Sequence, residues 1–162
     1  MRDTLEGLPG GNGSGTALAF DVGTRLIGIA VGNSISASAR PLAAVAADDW
    51  ARLDALVAEW IPDRLVVGLP LALDGSEQPM SRRARAFAET LRRRYSRPVH
   101  LVDERNTSRE AARRFAAQRA SGAARRKDAA TLDAVAAQII LESWLAGTPA
   151  DAGDRPDRSE RE

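Results

Sequence analysis

Three carboxylates in this chain stand where carboxylates are costly. Asp21 closes the apolar stretch Ala17-Leu18-Ala19-Phe20 and is followed by Val22-Gly23-Thr24. Glu104 follows the strand-like run Val99-His100-Leu101-Val102, next to Asp103. Asp133 lies in an alanine-rich segment, with Ala129, Ala130, Ala136 and Ala137 three and four positions away, the neighbours of a shared helix face. A buried carboxylate needs a cation, a donor or a metal, because bare burial is strongly unfavourable. Three of them carried to one edge of a sheet could hold a divalent ion. The chain has no cysteine and a single histidine, His100. Such an ion would therefore take oxygen ligands, which favours Mg²⁺ or Mn²⁺ over Zn²⁺.

Each acid also has an ordinary alternative. Asp21 could bond nearby amides in the turn before Gly23. Asp133 could pair with an arginine, and Asp103 and Glu104 could both be loop acids paired with Arg105. Adjacent side chains on a strand face opposite ways, so only one of these two is expected at a shared site, and spacing does not decide which. Asp128 is most simply a helix N-cap, Asp74 before Gly75 a turn residue, and His100 a strand residue.

Positioning these groups requires a particular series of elements. The polar, glycine-rich residues 1–16 read as a flexible lead-in and residues 147–162 as a disordered tail, leaving a domain over 17–146. Leu18 to Val22 and Arg25 to Gly32 read as strands joined through Gly23-Thr24 in a hairpin, with a third strand over Arg40 to Ala46. Asp48 or Asp49 can cap a helix with apolar positions Trp50, Leu53, Leu56, Val57 and Trp60. Leu65 to Gly68 is a short buried strand, followed by a loop from Leu69 to Gln78. Pro79 opens a helix to about Arg94. Pro98 to Val102 is a fifth strand, Thr107 and Glu110 form a capping box that starts another helix, and a last helix runs from about Asp128 to Leu145. The order βββαβαβαα predicts an α/β fold: a mixed five-stranded sheet with helices on both faces. Ligands of such sheets collect beyond the carboxyl ends of the strands.

The net charge of +1 hides a segregation. Residues 82–127 hold 15 Lys+Arg against 4 Asp+Glu, and the rest of the chain 8 against 18. That asymmetry suits a polyanion, although exposed helix faces also collect basic residues. Lys127 is the only lysine, which points to biased composition rather than to a reason for arginine. No apolar run approaches the roughly 18 residues of a membrane span, and the first residues lack a signal-peptide core. The expectation is a soluble, cytoplasmic protein.

Taken together, Phe20-Asp21-Val22-Gly23-Thr24 with Ile27-Gly28-Ile29-Ala30-Val31-Gly32, then Val67-Gly68-Leu69-Pro70 with Asp74-Gly75-Ser76-Glu77-Gln78-Pro79, then Asp103-Glu104-Arg105, then Asp133 ahead of Ala136 to Glu142, resemble the YqgF/RuvX family over about residues 17–145. The resemblance implies an RNase H-like fold and a bacterial cytoplasmic nuclease of 5′-end maturation of pre-16S rRNA, in ribosome biogenesis. It places the acidic set on Asp21, Glu104 and Asp133, with Mg²⁺ or Mn²⁺ as cofactor. It implies phosphodiester hydrolysis in which two ions activate water and stabilise the leaving oxygen. Arg25 and Arg105 would then hold the scissile phosphate, and Arg82, Arg83, Arg85, Arg125, Arg126 and Lys127 the flanking backbone, through contacts that give affinity rather than sequence reading. A homodimer is left open. The chain departs from the family pattern at Asn106-Thr107-Ser108. Where true junction resolvases carry a further glutamate and a further aspartate, it has Leu69-Pro70 and Ala136.

Other readings compete. A Holliday junction resolvase-like DNA nuclease would share the acids. A non-catalytic RNA-binding module would use the arginine-rich middle, although only 4% of residues are aromatic, few for base stacking. The Asp21-Val22-Gly23-Thr24 turn also resembles the first phosphate loop of actin-like ATPases, but 162 residues leave no room for their second domain.

Overall fold

The computed structural model describes residues 15–105 and 129–147. Five strands form one sheet: β1 (Thr16–Val22), β2 (Leu26–Asn33), β3 (Ser38–Ala46), β4 (Arg64–Leu69) and β5 (Val99–Asp103), in the spatial order β3-β2-β1-β4-β5. β1, β2 and β3 are antiparallel neighbours, while β4 runs parallel to β1 and β5 parallel to β4. The carboxyl ends of β1, β4 and β5 therefore share one edge. The mixed sheet expected from the element order is the one found.

Alternation along the strands decides what covers each face. On one face, Leu18 and Phe20 of β1, Ile27, Ile29 and Val31 of β2 and Leu65 and Val67 of β4 meet Leu53 and Val57 of α1 (Trp50–Trp60) and Ala84, Phe87 and Leu91 of α2 (Pro79–Tyr95). Phe20 is fully buried, with its ring edge-on to Phe87 at 5.5 Å. A side chain of this size contributes roughly 1.5–3 kcal/mol when removed from water. The other face is built from small residues. Ala17, Ala19, Ala30 and Val66 pack against Ala137, Ile140 and Leu141 of α3 (Ala129–Gly147).

Local signals set the helix boundaries. Of the two candidate caps, Asp49 is used: its Oδ1 accepts from the Arg52 amide at 3.1 Å. Pro79 stands in the first turn of α2, as expected, behind a reciprocal Gln78–Ser81 capping box. β3 begins two residues before the expected Arg40, after a turn in which Ala37 adopts φ 55. After β5 the chain is already helical at Glu104 and Arg105, ahead of the expected start at Thr107. The Thr107–Glu110 box itself lies outside the described residues, as do both terminal segments outside the proposed domain apart from their residues nearest to it.

Candidate active site

Asp21 is on the face that α3 covers, in line with Ala17 and Ala19. In the sheet it stands directly opposite Gly28 of β2. On its other side, Phe20 pairs with Val67 of β4, so the next residues along, Asp21 and Gly68, are neighbours too. A bare glycine thus lies on each side of the aspartate.

Both glycines are occupied from above by the elements that carry the other two acids. A Cβ at Gly28 would collide with the backbone carbonyl of Asp133 and come within 3.0 Å of the Ala134 amide. A Cβ at Gly68 would collide with the Glu104 carboxylate, and would lie 2.5 Å from Cδ1 of Ile140. Glycine at these two points lets α3 sit down on β2 and lets Glu104 fold back over β4. Gly32 continues the first effect: a Cβ there would meet Leu141 at 2.8 Å. Sequence reasoning missed these close approaches. For Gly28 and Gly32 the signal available was the strict small–large alternation of Ile27-Gly28-Ile29-Ala30-Val31-Gly32.

The end of β5 separates Glu104 from Asp103. Val102 pairs with Gly68, and Glu104, where the chain turns helical, folds back so that its carboxylate lies over Gly68 on the α3 face. Asp103 faces the other way, is exposed, and is claimed by Arg105: the guanidinium Nη2 donates to Oδ2 at 2.6 Å and the Arg105 amide to Oδ1 at 2.9 Å. Asp103 thus takes the arginine-paired role that was open to both residues.

The electrostatics tie the three acids through Asp21. Asp21, Glu104 and Asp133 are all partly buried. Burial, and then the Asp133 charge, raise the Asp21 carboxyl to about 6. Burial first, then the charges of Asp21 and Asp103, push Glu104 up to about 8. Burial raises Asp133 as well. Like charges with little water around them disfavour ionisation. Neither Asp21 nor Asp133 forms an ion pair with a described arginine.

The three side chains offer hard oxygen donors throughout, so their chemistry fits Mg²⁺ or Mn²⁺. Its spacing is not that of a closed cage: among the described residues, no three acidic or histidine side chains are grouped tightly enough to hold an ion as they stand. The structure brings Asp133 and Glu104 each to Asp21, from opposite sides.

The basic candidates divide. Arg25 is exposed in the β1–β2 turn beside Asp21, and Arg82 and Arg83 are exposed early in α2. Arg85 is engaged by Glu77 at 2.7 Å, and Arg105 by Asp103. Arg125, Arg126 and Lys127 lie outside the described residues. His100 is a strand residue, as expected: its ring lies 5.3 Å from that of Trp144, and Nε2 is 3.3 Å from Nη1 of Arg64. Asp74 is the expected turn residue, accepting from the Ser76 amide at 2.9 Å.

A mixed sheet of this order with helices on both faces is the RNase H-like fold. The same arrangement of chain occurs in T. thermophilus RuvC, solved in complex with a Holliday junction substrate. It superposes with a TM-score of 0.52 at 17% identity, over 80% of this chain and 93% of that one. The chain belongs to the RuvX family, whose model, described as "Holliday junction resolvase", matches residues 15–147. A Xanthomonas oryzae protein named "Putative pre-16S rRNA nuclease" is 54% identical over 136 residues, 82% of this chain and 88% of that protein. A Xylella fastidiosa protein of the same name is 55% identical over the same span. The protein is a nuclease of this family. No helix among the described residues is long and apolar enough to cross a membrane.

Proposed function

We propose that the chain is a metal-dependent endonuclease that hydrolyses phosphodiester bonds of precursor 16S rRNA in the cytoplasm, with Asp21, Glu104 and Asp133 as its catalytic carboxylates. The observation that carries this reading is the seating of Asp21 between two glycines, with the acid-bearing segments resting on both. Packing alone gives no reason for two further partly buried carboxylates to be brought to Asp21, one from each side. A divalent cation offsets the repulsion among them.

Bound there, Mg²⁺ or Mn²⁺ would supply an activated water and charge stabilisation for the leaving oxygen. Asp21 lies between the other two and would be the shared ligand, with Glu104 and Asp133 completing the set from either side. Arg25, exposed at the turn beside Asp21, would contact the phosphate to be cut. Arg82, Arg83 and Arg85, with Arg125, Arg126 and Lys127, would hold the flanking backbone as charges along a strand. Arg105 stands beside the acids, but its guanidinium is already engaged.

The substrate follows the relatives' names. Cleavage of a Holliday junction is the second reading, suggested by the family description, and one observation weighs against it. β4 ends in Leu69, 7% exposed within the apolar cluster under α1 and α2, so this strand end supplies no fourth acid, and Ala136 supplies none on α3.

Asp21→Asn, which is isosteric, should abolish Mg²⁺-dependent cleavage of a precursor rRNA fragment while circular dichroism stays native-like and the melting temperature does not fall. Retained cleavage would remove the proposed site. Four-way junction DNA assayed in parallel separates the two substrates.

A further inference from the structure

Arg105 follows the proposed catalytic Glu104, and its side chain points away from the acids. The guanidinium makes a multidentate pair with Asp103, with Nε at 3.1 Å from Oδ1 and 2.9 Å from Oδ2 and Nη2 at 2.6 Å from Oδ2. Nη1 then reaches across to donate to the Leu73 carbonyl at 3.2 Å. It also lies over Gly75, where a Cβ would be 3.3 Å away. Gly75 has φ +90, a conformation that side chains disfavour.

The segment so contacted is a compact turn with its own bonds. The Gly75 amide donates to the Ala72 carbonyl at 2.8 Å and the Ala72 amide to the Ser76 carbonyl at 3.0 Å, and Leu71 bridges Glu77. At its far end Arg85 holds Glu77. This turn follows β4 directly and stands beside the strand end from which Glu104 folds back over Gly68.

We propose that Arg105 is a positioning residue: it clamps the 71–77 turn to the end of β5 through Asp103 and the Leu73 carbonyl, and so fixes the backbone on which Glu104 is presented. This rests on the nuclease reading above and gives Arg105 a role other than phosphate contact. The planar fork of arginine suits a bidentate carboxylate plus a carbonyl, and lysine cannot reproduce it. Asp103 becomes part of the device although it faces away from the acids.

The roles separate in one set of variants: Asp103→Asn, Arg105→Gln and Arg105→Lys, with Asp21→Asn alongside. A clamp predicts that Asp103→Asn and Arg105→Gln both lower kcat by about 10- to 100-fold, the scale of a small misplacement. KM for precursor rRNA would be unchanged, and so would the salt dependence of RNA binding in EDTA, while Arg105→Lys would fail to restore kcat. Hydrogen exchange at the Gly75 and Ser76 amides would rise in all three, a readout independent of turnover. A phosphate contact predicts the reverse. Arg105→Gln would raise KM and reduce the salt slope by about one unit, Asp103→Asn would keep full kcat, and exchange in the turn would not change; that pattern overturns the clamp. Activity retained in Asp21→Asn would instead overturn the nuclease site itself, a distinguishable failure.

Discussion

The carboxylate of Glu104 rests on Gly68, in the volume where any other residue would carry its Cβ. At Gly28 the occupant is backbone, the carbonyl of Asp133. The two glycines flank Asp21 alike, but what sits on them differs in kind, and so should their substitutions.

Gly68→Ala should be tolerated by the fold, because the atoms in its way are the ends of the Glu104 and Ile140 side chains, which can swing aside. It should impair cleavage far more than stability. Gly28→Ala pushes against a helix backbone with no such freedom. It should cost about 1–3 kcal/mol, as overpacking of a close-packed interior does, and should loosen α3. Urea unfolding measured beside cleavage rates tests the contrast. Equal stability losses for the two variants would contradict it.

The raised carboxyls predict an unusual stability profile in metal-free buffer. A carboxyl whose folded-state pKa lies above its unfolded value favours the protonated folded form. The unfolded chain then binds fewer protons, and stability falls as pH rises. For Asp21 the fall runs from about 4 to about 6, and for Glu104 from about 4.5 to about 8. Each unit of displacement is worth about 1.4 kcal/mol, which sets an upper bound of about 8 kcal/mol for the two groups together; solvent around these half-buried, mutually coupled carboxyls reduces the loss to a fraction of that. Melting in EDTA should therefore drop between pH 5 and 8. Glu104→Gln and Asp21→Asn should each flatten the profile and raise the melting temperature at pH 8. A wild-type profile that is flat or rises over this range would contradict the coupling.

The exposed arginines of α2 should act on binding alone. Arg82→Ala and Arg83→Ala should each weaken RNA binding without sequence preference and lower the salt slope by about one unit for each phosphate left without its cation. Arg85 is paired with Glu77, so Arg85→Ala should change the slope less. Fluorescence anisotropy across a salt series measures all three. A larger effect at Arg85 than at Arg82 would show that its ion pair opens to the nucleic acid.

Much of this arrangement was legible in the sequence because it depends on local periodicity. The parity of Ala17, Ala19 and Asp21 placed the aspartate on the small-residue face, and the apolar character of Ala129 to Leu141 announced a helix buried against it. What was not legible depends on register between distant strands. Nothing in the stretch around Gly68 shows that it stands beside Asp21, or that Glu104 will fold onto it. The choice between Asp103 and Glu104 had the same difficulty: the chain turns helical at Glu104, and a strand pattern alone does not say where that turn comes. Arg105 looked like a phosphate ligand because it adjoins the acids in sequence. Its guanidinium donates to the Leu73 carbonyl in a turn some thirty residues earlier, a tertiary relation that spacing does not carry.

The central claim is that Asp21, Glu104 and Asp133 converge on a common divalent cation. A crystal soaked in Mn²⁺, with anomalous data collected at the manganese edge, examines it most directly. The expected result is a peak within coordinating distance of the Asp21 carboxylate, shared with Glu104 or Asp133 and lost in Asp21→Asn. A well-ordered site without such a peak at saturating Mn²⁺, or a peak that persists unchanged in Asp21→Asn, would contradict it.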